Sequence, residues 1–478
     1  MQNEKNKKKC SNFTNRRDFV KMMASFGASA AIAQIYGCKQ LTKSRIQISK
    51  KDDCGKYNVL FISVDDLHDW VSPLNNQHRP ITPNFERLAK RGMTFTESYC
   101  PSPLCGPSRA AVLTGMRAST TGLYQNTDEF SELLSDAENL PLCFRRNGYK
   151  AMGAGKIFHG YFPQYWDESL ENGARLYQAG QPKKNGTDLP GIFDWGQLDC
   201  DDSDMDDYKM ASWTIDRLKR DYGSTPFFLA CGLYLPHVPW YAPKKYFDMY
   251  PLDKIVMPII KDNDIDDIPA IGKKIAQKEY YDAVEATGKS REAVQALMAS
   301  ITFADAQIGR ILDALESSPY NDNTIVVVWG DNGVHQGQKQ HWHKNTLWRE
   351  STRTPLFISV PNKTKPGAKC DQIVSPFDLY PTLAELCGIK EPEVVEGHSI
   401  VPLLTNPDLK WSYPAIMNRK KGEFAIRFDN WRYIRYANGS EELYDVAADP
   451  HEWNNLANVQ KYSSVKTELA KFIPATVK

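Results

Sequence analysis

Cysteine is scarce in this chain and poorly placed for its structural uses. Ten cysteines in 478 residues, at positions 10, 38, 54, 100, 105, 143, 200, 231, 370 and 387, are too few for a disulfide scaffold. None stands in a CxxC pair, which argues against a cysteine-built zinc site. An excess of one charge is missing too. The 59 Lys+Arg against 58 Asp+Glu leave a formal net of +1, whereas a nucleic-acid binder needs a basic surplus to replace phosphate counterions. Beyond the N-terminal tail no internal repeat or low-complexity block is visible. What is there is ordinary for a folded protein. Hydrophobic content of 41% and charged content of 24% exclude wholesale disorder. The length suits one large catalytic domain with an appendage, or two or three average domains.

The first 37 residues read as an address. Lys5, Lys7, Lys8, Lys9, Arg16, Arg17 and Lys21 stand against only Glu4 and Asp18, and residues 22–38 carry no charge. That is a basic region followed by an apolar one, too short and too weakly apolar to cross a bilayer. Asn15-Arg16-Arg17-Asp18-Phe19-Val20-Lys21 looks like a twin-arginine export signal, and Ile35-Tyr36-Gly37-Cys38 resembles a lipobox, with Cys38 as the lipidated residue. The expected location is therefore the periplasm or cell surface, through the export machinery and with a lipid anchor at Cys38. Loss of residues 1–37 takes seven bases and two acids, leaving 52 against 56, a net of −4. An anionic substrate would then need a local basic cluster rather than the overall field. Residues 38–55, polar and rich in lysine, read as a tether.

Tyr57-Asn-Val-Leu-Phe-Ile-Ser-Val64 is a continuous apolar run ending in Asp65-Asp66, as expected of a strand buried on both faces of a parallel sheet. Similar runs occur at 226–234, 324–329 and 355–360, and amphipathic helices are expected around 207–221 and 294–315. Strands alternating with helices predict an α/β fold with a large, mostly parallel, doubly wound sheet over 56–404. Over 405–478 short alternating strands at 424–428, 431–436 and 442–445, with a helix near 460–472, predict a small antiparallel subdomain.

Ligands of such sheets sit at the carboxyl ends of the strands. Two strands there end in acid pairs, Asp65-Asp66 and Asp331-Asn332. Four oxygen side chains at one edge point to a hard cation, Ca²⁺ or Mg²⁺, although Asp and Asn also cap turns without any metal. The acidic run 199–207 is not an EF-hand. A loop opening at Asp202 has Asp207 and Trp213 where Gly and Glu are required, so it reads as a solvated loop leading into a helix. Lys156, His159, His237 and Lys344 stand in loop-like settings. Cys105 opens a helix, a position that tends to lower a thiol pKa.

Cys105-Gly106-Pro107-Ser108-Arg109 resembles the C-x-P-S-R signature of the type I, formylglycine-dependent sulfatases. Gly155-Lys156, Asp331-Asn332-Gly333, 377–383, 397–404 and 442–450 are similar to that family's other landmarks. Gly155-Lys-Ile-Phe-His159, Pro236-His237-Val-Pro239 and 338–344 look most like its iduronate-2-sulfatase branch, which however often shows His at the place of Asn332 and can carry Arg at that of Gly122. The resemblance implies an alkaline-phosphatase-superfamily fold. It also implies oxidation of Cys105 to formylglycine by a maturase, and one Ca²⁺ held by Asp65, Asp66, Asp331, Asn332 and residue 105. It further implies a sulfated-carbohydrate substrate, whose oxygens Lys156 and Lys344 neutralise. Arg109 would activate the nucleophile, His237 with Lys344 would protonate the departing oxygen, and His159 with Lys156 would take the final proton. The competing readings are a phosphomonoester or phosphonate hydrolase on the same fold, and a catalytically silent glycan-binding lipoprotein.

Overall fold

Strand β1 (Asn58–Val64) is buried along its whole length, as its unbroken apolar run requires. In the computed structural model, which describes residues 57–74, 77–78, 80–134, 138–171, 183–189 and 191–475, it lies near the centre of an eight-stranded sheet. The others are β2 (Met93–Ser98), β3 (Lys150–Gly155), β4 (Glu168–Leu170), β5 (Phe227–Leu233), β6 (Thr324–Gly330), β7 (Leu356–Ser359) and β8 (Ala368–Val374). Their order is β8-β2-β7-β6-β1-β5-β3-β4. From β6 to β4 all neighbours are parallel. β7 runs antiparallel to both β6 and β2, an inversion that the apolar run 355–360 gives no means of reading, since a buried strand looks the same in either direction. Residues 1–55, read from the sequence as an export signal with Cys38 and a tether, lie outside the described residues.

Alternation along β1 sends side chains into two cores. Leu60, Ile62 and Val64 pack with Leu297, Ile301, Ile308 and Leu312 of the long helix Ser290–Glu316. Val59 and Phe61 pack on the other face with Val112 and Leu113 of the helix Cys105–Thr114 and with Leu379 and Leu383 of the helix Leu379–Leu386. Each such burial contributes about 1.5–3 kcal/mol before conformational entropy is subtracted. The sheet is therefore clamped from both sides, which fixes its carboxyl edge.

Residues Ala415–Lys420, Glu423–Phe428, Trp431–Arg435 and Glu441–Asp445 form a four-stranded antiparallel meander, one strand more than the alternation at 424–445 indicates. One face packs on the helix Ser463–Ala470 through Phe424, Ile426 and Leu469. The other, with Met417, Ile434 and Tyr444, packs on Leu347 and Trp348, just beyond Lys344. The small sheet thus buttresses the loop that carries Lys344.

Candidate active site

Two strand ends deliver the acids. Val64 on β1 is level with Gly330 on β6, so Asp65–Asp66 and Asp331–Asn332 leave the sheet side by side, and all four are buried. Asp66 adopts a left-handed backbone with φ 57°, uncommon for a residue other than glycine. Its N–H donates to Asp331 Oδ1 at 2.9 Å, as does that of Asn332 at 2.8 Å. Asn332 Nδ2 donates to Asp66 Oδ1 at 2.8 Å.

The helix Cys105–Thr114 starts at the same edge. Asn126 Oδ1 accepts the N–H of Gly106 at 2.8 Å, and Ser108 Oγ donates to the Asp331 carbonyl at 2.6 Å. Cys105 Sγ lies 4.0 Å from Asp66 Oδ1 and 2.7 Å from Lys344 Nζ. One turn later Arg109, fully buried, enters the acid cluster. Its Nε donates to Asp331 Oδ2 at 2.7 Å and its Nη2 to Asp65 Oδ1 at 3.4 Å. Its Nη1 donates to Ser63 Oγ at 3.0 Å and to Ile157 O at 3.2 Å.

Lys156 follows β3 and pairs with Asp65. Its backbone can sit there because residue 232 on β5 is glycine: a Cβ at that position would fall 2.1 Å from the Lys156 carbonyl carbon. Lys344 pairs with Asp66. His237 turns Nε2 to 3.8 Å from Asp66 Oδ2, while Nδ1 lies 2.5 Å from the Val238 carbonyl and so carries the proton in the neutral ring. His159 is exposed and stands beside the helix start, its Cβ 3.6 Å from where a side chain on Gly106 would begin. The fold thus gathers Asp65, Asp66, Cys105, Arg109, Lys156, His237, Asp331, Asn332 and Lys344 into one buried cluster, with His159 at its rim.

Asp207 belongs with these residues, although the acidic run reads as a solvated loop. Asp201, Ser203 and Asp204 are indeed exposed, but Asp207 is buried. Its carboxylate accepts the N–H groups of Tyr234 at 2.7 Å and Leu235 at 2.9 Å. It anchors the segment that carries His237. Ser63 and Asn126 were equally invisible in the sequence, where no residue type or spacing sets them apart from ordinary polar positions.

Three buried carboxyl groups face three cations. Burial alone would raise Asp65, but the charges of Lys156, His237, Arg109 and Lys344 outweigh it and hold the carboxyl well below its usual range. Asp66 is raised by burial and by the neighbouring charge of Asp65. Asp331 is pushed up to about 7 by burial, against Arg109 and with Asp65 and Asp66 adding to the rise. Burial beside Lys344 and Lys156 lowers His237 well below the ordinary imidazole value. Cys105 departs from expectation. Burial pushes its thiol up to about 11 in spite of Lys156 and Lys344, so the helix N-terminus does not make it a thiolate at neutral pH.

A hard cation fits this donor set. Atoms of Asp65, Asp66 and Asp331 lie within 4.8 Å of one another, and the buried Oδ1 of Asn332 has no hydrogen-bond partner among the described residues. An unsatisfied buried acceptor costs about 1–3 kcal/mol, a cost that a bound cation removes. Asp65, Cys105 and His237 are also close together, but a sulfur and an imidazole nitrogen are softer donors that suit a hard cation poorly. The oxygen set is the better site.

The sulfatase family model matches residues 57–389, and that of the N-sulphoglucosamine sulphohydrolase C-terminal region matches residues 337–477. A sulfatase of Formosa agariphila is 41% identical over 459 residues, covering 91% of this chain and 89% of its own. Iduronate 2-sulfatase of Homo sapiens is 27% identical, over 70% of each chain. Among solved structures, a phosphonate monoester hydrolase from Silicibacter pomeroyi shares the fold with a TM-score of 0.74 at 21% identity, over 87% of this chain and 94% of its own. The chain thus belongs to the sulfatase family and is a sulfuric ester hydrolase.

Proposed function

We propose that this protein hydrolyses sulfate monoesters of a carbohydrate, with Cys105 oxidised to formylglycine by a maturase and one Ca²⁺ held by Asp65, Asp66, Asp331, Asn332 and residue 105. The carrying observation is the setting of Cys105, which faces Lys344 and the acid cluster while burial keeps its thiol protonated. As it stands, that side chain is a poor nucleophile; its hydrated aldehyde supplies hydroxyl groups instead. Ca²⁺ at the oxygen set would act as a Lewis acid on the sulfate oxygens.

The chain's own residues do the rest. Lys156 and Lys344 bind the sulfate oxygens and neutralise the charge that repels a nucleophile. Arg109, locked between Asp331 and Asp65, orients the acids and residue 105. His237 protonates the departing sugar oxygen with Lys344; its depressed pKa rises when an anionic ester enters beside it. His159 at the rim takes a proton from residue 105 with help from Lys156. A sulfated glycan is supported by the iduronate 2-sulfatase among the relatives, although Gly122 caps the helix Ala118–Thr121 at φ 82°, a conformation that resists Arg.

Mass spectrometry of the peptide containing Cys105, with turnover of aryl sulfate compared with aryl phosphate, tests the reading. The expected result is an aldehyde at residue 105 and a preference for the sulfate. An unmodified cysteine in active protein, or a preference for the phosphate, overturns it. We propose too that residues 1–37 direct export and that Cys38 carries a lipid. Changing both Arg16 and Arg17 to Lys should retain the protein inside the cell, and Cys38→Ala should release a soluble exported form. Normal export of the first variant, or membrane retention of the second, contradicts the respective assignment.

A further inference from the structure

A cavity of about 330 Å³ adjoins Lys344, and its lining includes Ile271, Lys274, Ile275, Lys344, Arg419 and Lys420. That volume lies at the lower end of the range for small-ligand sites. Two elements bring these cations to the catalytic lysine, and both are tied to its loop. The helix Ala270–Ala276 carries Lys274. The ring of His341 sits between its end and the loop, with Nδ1 2.7 Å from the Ala276 carbonyl and Nε2 3.1 Å from that of Lys344. The strand Ala415–Lys420 carries Arg419, whose Nε donates to the Asn345 carbonyl at 2.6 Å.

The charges on this wall are not balanced. Arg419 is paired with Glu423 at 2.6 Å, and Lys344 is paired with Asp66. Lys274 and Lys420 are exposed, and neither side chain pairs with a carboxylate among the described residues. Ile271 and Ile275 add an apolar strip to the same lining, a surface suited to the C–H face of a sugar ring. On a protein whose sequence beyond residue 37 has a net charge of −4, two unpaired lysines next to the sulfate-binding lysine make a local anion attractor.

We infer that this cavity is a second anion subsite: Lys274 and Lys420 receive a carboxylate or a further sulfate on the sugar whose scissile sulfate lies at Lys344. The substrate class is then a sugar or oligosaccharide with at least two anionic groups, and these lysines determine specificity without touching the reacting atoms. The inference rests on the sulfatase reading of the site.

The test uses the full-length matured protein and the variant carrying Lys274→Ala and Lys420→Ala together. Three probes are compared: an N-acetylhexosamine with one sulfate, an N-acetylhexosamine with two sulfates, and a uronate 2-sulfate. The variant should lose roughly ten-fold in kcat/KM on a doubly anionic probe relative to the singly charged one, through KM rather than kcat. The probe whose KM rises identifies the second group as sulfate or carboxylate. Replacing both lysines by Arg should restore most of the preference, because charge rather than shape is read. An equal loss on all three probes, or no change in the ratio, overturns the subsite while leaving the sulfatase reading intact. Absence of turnover of any sulfate ester by the unaltered protein overturns both.

Discussion

Replacing Asp207 by Ala tests whether the buried carboxylate at the helix start Asp206–Leu218 positions His237. The variant strips the acceptor from two backbone N–H groups, those of Tyr234 and Leu235. A hydrogen bond to a charged acceptor contributes about 1.5–3 kcal/mol. Leu235 is buried and Tyr234 half-buried, and the net loss should be about 3 kcal/mol. That is below the stability of a typical folded protein, about 5–15 kcal/mol, so the chain stays folded with a lowered Tm. The larger effect should fall on catalysis, because the freed segment runs directly into Pro236-His237. A shift of about 1 Å in a catalytic group costs roughly a hundred-fold in rate. Turnover of an aryl sulfate should therefore drop about that far in kcat, with Asp207→Asn, which keeps one oxygen acceptor, in between. If Asp207 acts through His237, adding Asp207→Ala to His237→Ala should lower kcat little further. Unchanged kcat in the single variant, or fully multiplied losses in the double, would refute the positioning role.

Asp331→Asn should abolish Ca²⁺ binding, measured by equilibrium titration, and turnover with it; Asp331→Ala is the worse test, since it leaves the buried Arg109 without its 2.7 Å partner, a loss of about 3–5 kcal/mol. Unaltered Ca²⁺ affinity in the Asn form would remove Asp331 from the ligand set. Cys105→Ser, made in a host that does not oxidise serine, offers one hydroxyl where the hydrated aldehyde offers two. It should take up a single sulfuryl group from an activated aryl sulfate and stall, as read by intact-protein mass. Repeated turnover by that form, or labelling of Cys105→Ala, would count against the mechanism. His68 is held neutral, its pKa lowered to about 3 by burial in spite of Asp69. Between that value and 6.5 the unfolded chain binds a proton that the folded chain does not, so stability falls as pH drops below 6.5, by up to about 1.4 kcal/mol per pH unit. Urea unfolding at about pH 7 and about pH 5 should show a smaller loss for His68→Gln than for the unaltered protein; equal losses would contradict it.

The parts of this protein that are legible in its sequence depend on near neighbours in the chain. The run from Asn58 to Val64 ends at Asp65-Asp66, and that from Thr324 to Gly330 ends at Asp331-Asn332; a buried strand followed by acids is a local pattern, and the rule that sites lie at the carboxyl edge of a parallel sheet does the rest. Cys105-Gly-Pro-Ser-Arg109 places a residue and its guanidinium one helical turn apart by spacing alone. The long helix announces itself by periodicity, and the structure extends it only to Ser290–Glu316.

Other features had to wait for the tertiary structure, because they depend on distances across the chain. The direction of β7 follows from which neighbours it meets, and Val326–Trp329 pairs with it antiparallel. Asp207 looks like one more acid of a solvated run until the fold brings it under Tyr234 and Leu235. The pKa of Cys105 is raised because packing removes water, an effect that outweighs the charges of both lysines. Lys274 and Lys420, far from Lys344 or from each other in sequence, meet at one cavity only because His341 and Arg419 tie their elements to the loop that carries Lys344. Local patterning set the identities of the acids and the position of Cys105; the charge balance around them is a property of burial and long-range contact, which no short stretch of sequence encodes.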